Sequence, residues 1–252
     1  MEPAFTVQTR DGVDVRNAMV IVGCSGGTGL VGATTVKHII GQLKMDCIGS
    51  VRADHTPAVA IVRDGLATDP MRIYAVSGVN VVTVQADRLV IVDIERPPEP
   101  AEERPLGSAI VAWAKRAGAR VVIVPGGIAV DDEALDDKVW GVASAPSGVA
   151  LLDGMGVDRF GGVIGGLAAA VLNAAQSEGI DALCFLAEAA PGFPDAHAAA
   201  RIVKLLDGMT LTFALGAEPL HEQAEKVEAE IRASMDLLKA ERGHTASRGR
   251  KG

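Results

Sequence analysis

Aromatic side chains are scarce in this 252-residue sequence, which contains five Phe, two Trp and one Tyr. Base stacking on single-stranded nucleic acid depends on aromatic platforms, and a net charge of −8 repels the phosphate backbone. We therefore expect no nucleic-acid partner. The interior must be packed from Val, Ile, Leu and Ala, which suits a sheet covered by close-lying helices.

The sequence also has few cysteines and no signal for export. Cys24, Cys47 and Cys184 are odd in number and have no short pairing spacing, which is typical of reduced thiols in the cytosol. The first residues, MEPAFTVQTRDG, contain no apolar stretch of the kind that a secretion signal requires. We therefore predict a cytoplasmic protein.

Membrane spans, metal sites and a Walker A lysine are not indicated either. The most membrane-like stretch, residues 160–175, contains GGVIGG and is too short and too rich in glycine to span a bilayer. The five histidines show no HxxxH or CxxC spacing, and GxxxxGK is absent. We expect no membrane partner, no metal and no cofactor.

Short β-branched runs alternate with helical patterns, which is typical of βαβ units and predicts an α/β fold. The predicted strands span residues 18–22, 58–62, 73–76, 79–84, 89–94, 121–124 and 182–187. The predicted helices span residues 30–43, 108–117, 164–177, 196–206 and 218–242, and Asp195 stands at an N-cap position. Several strands are apolar at every position, so both faces of the sheet should be covered.

The domain organisation is simple. The segment 95–104, ERPPEPAEER, has the composition of a linker, but the strand and helix alternation continues on both sides of it, so we predict a surface loop. We therefore predict one domain over residues 1–241. Residues 242–252 contain Arg242, Arg248, Arg250 and Lys251 and no acid, which predicts a basic, disordered tail.

The segment 23–32, GCSGGTGLVG, lies between a buried strand and a helix and matches two motifs at once. Gly27, Gly29 and Gly32 fit the GxGxxG pattern that holds a pyrophosphate, whereas Gly23, Ser25 and Gly27 fit the GxSxG nucleophile elbow. Both matches are weak, because any tight strand-to-helix turn imitates them. The simpler interpretation is close packing of the backbone.

Two further glycine-rich stretches, PGG at 125–127 and GGVIGG at 161–166, also lie between strand and helix patterns. If all three loops meet at one sheet edge, they form a crevice of the kind that binds ligands in α/β folds. The candidate crevice residues are Gly26, Gly27, Gly29, Gly126, Gly127, Gly162 and Glu188. Glu188 and Asp195 could form an acid/base pair there, but a helix cap and a rim acid are the simpler interpretation.

The last predicted helix, 218–242, is amphipathic. Its apolar stripe includes Leu220, Val227, Ile231, Met235 and Leu238. The spacing is close to a heptad seam, so this stripe is a candidate for packing against a second subunit or a partner, with packing on its own domain as the alternative.

Several blocks together resemble the proteasome assembly chaperone two family, including its archaeal and actinobacterial members. They are GCSGGTGLVGATTVKHIIGQLKM at 23–45, DPMRIYA at 69–75, AWAKRAGARVVIVPGGI at 112–128, VWGVAS at 139–144, and the long block at 161–206 that begins GGVIGGLAAAVLNAAQSEGIDALCFLAEAAPG. The order and combination of these blocks, over most of residues 17–235, carry the resemblance.

The resemblance implies a three-layer α/β/α fold like that of the phosphorylase/hydrolase group, with a mostly parallel sheet. It also implies homo-oligomers and a role as an assembly factor that binds proteasome α-subunits, without catalysis. The chain ends in Arg250-Lys251-Gly252 where proteasome-docking members end in a hydrophobic residue, a tyrosine and one further residue. Two alternatives stay open, both using the glycine-lined crevice: a hydrolase or phosphorylase-like enzyme, and a nucleotide-binding protein.

Overall fold

The structure is a computed structural model that describes residues 5–11, 13–53, 58–81, 86–130, 137–190, 194–209, 215–220 and 222. Val227, Ile231, Met235 and Leu238 of the predicted C-terminal stripe lie outside the described residues, as does the predicted tail at 242–252. The prediction of one domain over 1–241 followed by a tail therefore stays a prediction.

One sheet of nine strands organises the chain. Its spatial order is β1 (Phe5–Thr9), β3 (Asp46–Ala53), β6 (Met71–Val81), β7 (Ala86–Ile94), β2 (Ala18–Cys24), β8 (Val121–Ala129), β11 (Ala182–Ala189), β9 (Val139–Ala143) and β10 (Asp158–Arg159). The remaining strands, β4 (Ile61–Arg63) and β5 (Leu66–Thr68), form a separate two-stranded hairpin.

The sheet is mixed. The central strands β7, β2, β8 and β11 are parallel, whereas the pairings of β1 with β3, β3 with β6, β6 with β7 and β11 with β9 are antiparallel. The α/β class is confirmed, but because β9 and β10 at the edge are the only other parallel pair in the described sheet, four of its eight pairings are parallel and the sheet is mixed instead of mostly parallel. Only four residues separate β6 from β7, and so short a connection can join antiparallel neighbours but not parallel ones.

Helices cover both faces of the sheet and produce three layers. Helices α1 (Val31–Gln42), α3 (Pro146–Gly154) and α5 (Ala196–Asp207) pack on one face, and α2 (Pro100–Arg116) and α4 (Gly166–Glu178) pack on the other. Alternate residues of β2 serve the two cores, with Met19 and Ile21 in one and Val20 and Val22 in the other. Both faces of the central strands are therefore buried, as their apolar runs predict.

Several element boundaries differ from the sequence-based prediction. The predicted strand at 73–76 and residues 79–81 of the one at 79–84 belong to one strand, β6, with a register shift between Ser77 and Val81, and residues 82–84 lie outside the described residues. The predicted strand at 58–62 overlaps only β4. The sequence pattern does not predict β1, β3, β5, β9, β10 or α3. β3 shows why: its sequence DCIGSVRA mixes polar, apolar and glycine residues and has no clear period.

The predicted surface loop at 95–104 is wrong for its second half. Pro100 is the first residue of α2, and Glu99 and Glu102 form a reciprocal capping box in which the Glu99 amide donates to Glu102 Oε2 at 2.9 Å. Arg96 also pairs with Glu102 at 2.8 Å. Proline at the first helical position and an acid three residues after the cap are start signals, so ERPPEPAEER begins a helix.

Candidate functional site

The strands β2 and β8 separate at their carboxyl ends. Their parallel ladder stops at the pair Ile21 and Ile123, although β2 continues to Cys24 and β8 continues to Ala129. From β2 the chain leads to β3 on one side of the sheet, and from β8 it leads to β9 on the other. Such a switch point leaves a gap outside the carboxyl ends of the strands, where open α/β sheets bind ligands.

A cavity of about 490 Å³ occupies this gap, on the face covered by α2 and α4. We call it the crevice. It is lined by the described residues Cys24, Gly26, Gly27, Thr28, Pro97, Pro98, Glu103, Val124, Pro125, Gly126, Gly127, Ile128, Ala129, Phe160, Val163, Ile164, Gly165, Gly166, Leu167, Ala168 and Leu186. Its volume falls within the range of small-ligand sites, and its walls are apolar side chains and bare glycine backbone.

All three glycine-rich loops meet at the crevice. Gly26, Gly27, Gly126 and Gly127 line it as the sequence suggests, but the third loop contributes Gly165 and Gly166 instead of Gly162. Gly162 lies beside the Phe160 ring. Neither Gly29 nor Glu188 lines the crevice.

Gly29 belongs to the opposite face of the sheet. A Cβ at this position would lie 3.0 Å from the Cβ of Asp195 and 3.1 Å from that of Ala189. Its carbonyl accepts a hydrogen bond of 2.8 Å from the Asp195 amide. Gly29 therefore packs against the start of α5 instead of facing a ligand.

Close backbone approach explains other glycines of these loops. A Cβ on Gly32 would lie 2.6 Å from the Pro125 carbonyl oxygen, and one on Gly127 would collide with the Thr28 carbonyl oxygen. Real Cβ atoms do not approach backbone so closely, so the start of α1 can cross the end of β8 only with glycine here. Packing therefore explains Gly29 and Gly32 of the GxGxxG pattern, whereas Gly27 lines the crevice and a Cβ there would meet nothing within 4 Å.

Glu188 and Asp195, the predicted acid/base pair, both have structural partners. Glu188 is buried and accepts a hydrogen bond of 3.1 Å from Trp140 Nε1. Asp195 caps α5, because its two carboxylate oxygens accept hydrogen bonds from the amides of Ala198 (2.8 Å) and Ala190 (3.1 Å). Since neither carboxylate lines the crevice, the enzyme alternative loses its predicted acid and base.

The polar groups of the crevice are few. Burial raises the pKa of the Cys24 thiol to about 11, with smaller contributions in the same direction from Asp93 and Glu103. Cys24 is therefore a neutral thiol at physiological pH and not an activated nucleophile. Glu103 is the one charged residue among those described at the lining, and no described cation lies within 4.0 Å of its carboxylate.

A second polar centre lies at the carboxyl end of the neighbouring strand β7, and sequence reasoning missed it. The Glu95 carboxylate, with a side chain only 4% exposed, pairs with Lys37 of α1 (3.4 Å), Arg72 of β6 (2.5 Å) and Arg63 of the β4–β5 hairpin. Asp93 lies two residues earlier on β7. We call these five residues the Glu95 cluster; it connects the hairpin to the main sheet.

The two acids of the Glu95 cluster have opposite pKa shifts. Burial and, to a smaller extent, nearby Glu95 raise the pKa of Asp93 to about 6 against the opposing effects of Lys37, Arg72 and Arg63. Asp93 is 2% exposed, and its Oδ1 has no hydrogen-bond partner among the described residues. Burial alone would raise the pKa of Glu95 too, but hydrogen bonds from Arg63 and Arg72 outweigh it and lower that pKa.

The exposed large apolar side chains among the described residues are Leu30, Val59, Val62, Leu66 and Val163. Val62 and Leu66 on the β4–β5 hairpin are 65% and 72% exposed, and Val163 at the mouth of the crevice is 96% exposed. Leu220, the one predicted stripe residue that the structure describes, is buried in the core shared with α1 and α5. At this position the predicted C-terminal helix packs on its own domain.

The described residues include neither a metal-binding cluster nor a helix that could span a membrane. No group of three or more His, Cys, Asp or Glu side chains there could hold a metal ion. No helix in the same part of the chain combines the length and the apolar character needed to cross a membrane.

The fold and the crevice define a class: three-layer α/β/α proteins with a mixed sheet and an opening at a strand-order switch point. Residues 20–235 match the PAC2 family, and the chain belongs to that family. The resemblance to proteasome assembly chaperones seen in the sequence is thereby confirmed.

Relatives in archaea share most of this length. The crystal structure of Pyrococcus furiosus PbaA, described as an archaeal homologue of proteasome-assembly chaperone, is similar with a TM-score of 0.82 and 25% identity over 97% of each chain. Pyrococcus furiosus PbaB, described as an archaeal proteasome activator, has a TM-score of 0.77 and 19% identity over 93% of this chain and 100% of that one. The uncharacterised protein MJ0106 of Methanocaldococcus jannaschii is 24% identical over 84% of each chain.

Proposed function

We infer that this protein is a cytoplasmic, protein-binding assembly factor that acts on proteasome α-subunits as a homo-oligomer. The observation that carries this proposal is the end-to-end similarity to PbaA together with membership of the PAC2 family. The chemistry of the site agrees with a binding role, because the described residues at the crevice include no activated nucleophile and no acid/base pair.

The β4–β5 hairpin is our candidate docking surface for this function. A two-stranded hairpin is marginally stable in water by itself, yet here it exposes Val62 and Leu66. Arg63, between them, anchors the hairpin to Glu95. Val62 and Leu66 lie on opposite faces of the hairpin, because their cross-strand partners are Ala67 and Arg63. The hairpin therefore presents an exposed apolar side chain on each face, and exposed apolar surface marks protein interfaces. Val227, Ile231, Met235 and Leu238 of the predicted C-terminal stripe are a second candidate surface for self-association, whereas Leu220 packs in the core of its own domain.

Affinity purification of the tagged chain from its native extract at moderate salt, with mass spectrometry of the co-eluting proteins and light scattering, tests the function. We expect proteasome α-subunits and a mass larger than one chain. Repeated recovery of the protein without any proteasome subunit would contradict the proposal.

Two aspartate variants locate the docking surface. Leu66→Asp should abolish recovery of the partner or reduce the mass of the oligomer, because it places a charge in a contact that must lose water. Val163→Asp, at the mouth of the crevice, tests the other exposed apolar site, and loss of the partner with this variant alone would assign the contact there. Gly161→Asp adds the same charge in open space outside both the hairpin and the crevice lining, so it is the control and should leave the recovery of the partner and the mass of the oligomer unchanged.

A further inference from the structure

Where β8 borders the crevice, the edge that faces β2 has no paired strand among the described residues. From Val124 to Ala129, β8 is paired with β11 on one edge, while its ladder with β2 has already ended at Ile123. Residues of both strand ends, Cys24 and Val124 among them, line the cavity. An unpaired strand edge is a ready-made template for another strand.

The walls suit an extended chain with apolar side chains. Gly26, Gly126 and Gly165 expose backbone along the cavity, and Ile128, Leu186 and Phe160 provide apolar surface. Main-chain hydrogen bonds and apolar contacts to alternate side chains are the two ingredients of peptide recognition by strand addition.

The negative charge of Glu103 disfavours anionic ligands in the crevice. Glu103 lines the crevice without a described cation in ion-pair distance, so a phosphate or carboxylate entering the cavity meets an unneutralised carboxylate. Gly165 supplies no side-chain cap to α4, and the first amides of this helix favour an acceptor. A peptide carbonyl satisfies such amides without carrying the net charge that Glu103 repels.

We propose that the crevice binds an uncharged, apolar segment of a partner protein as an extended strand beside residues 124–129 of β8. This inference deepens the proposed function, on which it rests for the identity of the partner as a protein. It also separates two contacts: the hairpin would dock a folded surface, and the crevice would hold a short extended segment.

Three blocked hexapeptides test the proposal by calorimetry with the full-length chain. The probe alternates valine and serine. A second peptide has the same sequence with N-methyl groups on alternate amides, which removes strand pairing but keeps the apolar side chains. A third replaces the serines with aspartate. We expect at least tenfold weaker binding for the second and third peptides. With the first peptide we expect slower amide hydrogen exchange at Gly127 and Ala129, because Pro125 has no amide hydrogen and the amides of the even-numbered residues of this segment already face β11, as the bond from the Val122 amide to Asp181 shows.

Variants of the protein supply the matched controls. Gly165→Val fills the crevice where a Cβ meets nothing within 4 Å, so it should weaken the valine–serine peptide at least tenfold. Gly161→Val adds the same side chain in equally open space outside the lining and should change nothing. Glu103→Gln should restore binding of the aspartate peptide.

Three results would overturn the proposal. The N-methylated peptide could bind as tightly as the valine–serine peptide, the aspartate peptide could bind most tightly of the three, or none of the peptides could bind. ATP binding that Gly165→Val abolishes would also overturn it and identify a nucleotide site. Failure of the proteasome pull-down is separate, because the peptide assay uses purified protein and contains no proteasome.

Discussion

The crevice and the Glu95 cluster lie at the carboxyl ends of parallel strands in the same sheet, yet their polar groups are used in opposite ways. In the Glu95 cluster, three cations surround one buried carboxylate and tie α1, β6 and the β4–β5 hairpin together. In the crevice, Glu103 has no described cation in ion-pair distance, and among the described residues no strand pairs with the β2-side edge of β8 after Ile123.

This difference suggests that, along one edge of the sheet, the Glu95 cluster stabilises the fold and the crevice is available for binding. Groups that already satisfy one another in the folded chain contribute to the free energy of folding and have little left for a ligand. Groups that fold without partners around a cavity can still be satisfied by something that enters it. We therefore expect substitutions in the Glu95 cluster to change stability, and substitutions in the crevice to change binding.

Glu95→Ala should cause the largest loss of stability, about 3–5 kcal/mol at pH 7. The buried Arg72, whose Nε already has no partner among the described residues, would lose its carboxylate. Because the folded-state pKa of Glu95 is lowered, its contribution is present above the unfolded-state pKa and is lost as the pH falls through the folded-state pKa. Urea unfolding at pH 7 and pH 3 measures both effects.

Arg63→Ala is the control for Glu95→Ala, since Arg63 is half exposed and Arg72 would still pair with Glu95. It should cost less than about 1 kcal/mol. Equal losses for the two variants would mean that the hairpin contact, and not the buried pair, stabilises the fold.

Asp93→Asn should stabilise the protein at pH 7.5 by up to about 3 kcal/mol. The folded-state pKa of Asp93, about 6, lies above its usual value of 3.8. Wild-type stability from this group is fully present below about pH 4 and is lost as the pH rises through 6. In thermal unfolding from pH 3.5 to 7.5, the stabilities of the wild type and Asp93→Asn should become more similar as the pH falls. A variant less stable than wild type at every pH would contradict this reasoning.

Gly127→Ala should cost about 1–3 kcal/mol, because the new methyl group would collide with the Thr28 carbonyl oxygen and force the start of α1 away from β8. Gly161→Ala, in open space, should stay within about 0.5 kcal/mol of wild type. Thermal melts of the two variants provide the comparison. Similar melting temperatures would show that the loop yields without cost.

Gly165→Val should have the smallest effect on stability, below about 1 kcal/mol, because its backbone is extended and a Cβ meets nothing within 4 Å. The same substitution should abolish peptide binding at the crevice. A large loss in urea unfolding would show that this wall of the crevice belongs to the core, and the contrast with the Glu95 cluster would disappear.

Sequence periodicity was sufficient for the centre of the sheet and insufficient at its edges. Strands β2, β7, β8 and β11 are recognisable because both faces are buried and most of their residues are apolar. Strands near the edge, such as β3 between β1 and β6, face water on part of their surface, so their composition resembles that of a loop. The N-cap role of Asp195 is local and was predictable, as the hydrogen bond from the Ala198 amide shows.

Some residues of the candidate site could also be predicted from the sequence, and others could not. Gly26, Gly27, Gly126 and Gly127 could be placed in a crevice because strand-to-helix loops follow the carboxyl ends of strands. Glu103 and Glu95 could not, because they lie in a segment whose prolines and charges resemble a linker. The signal that could have corrected this is the proline at 100 with acids at 99 and 102, which marks a helix start.

The sequence by itself determined the α/β class, the buried parallel strands and the glycines at their ends, because these depend on local composition and spacing. The tertiary structure decided which groups meet: that β2 and β8 separate after Ile123, that Gly29 and Glu188 lie outside the crevice, and that Lys37, Arg63 and Arg72 converge on Glu95. The order of strands in the sheet and the register between them bring together residues that are distant in the chain, and no local pattern encodes that order.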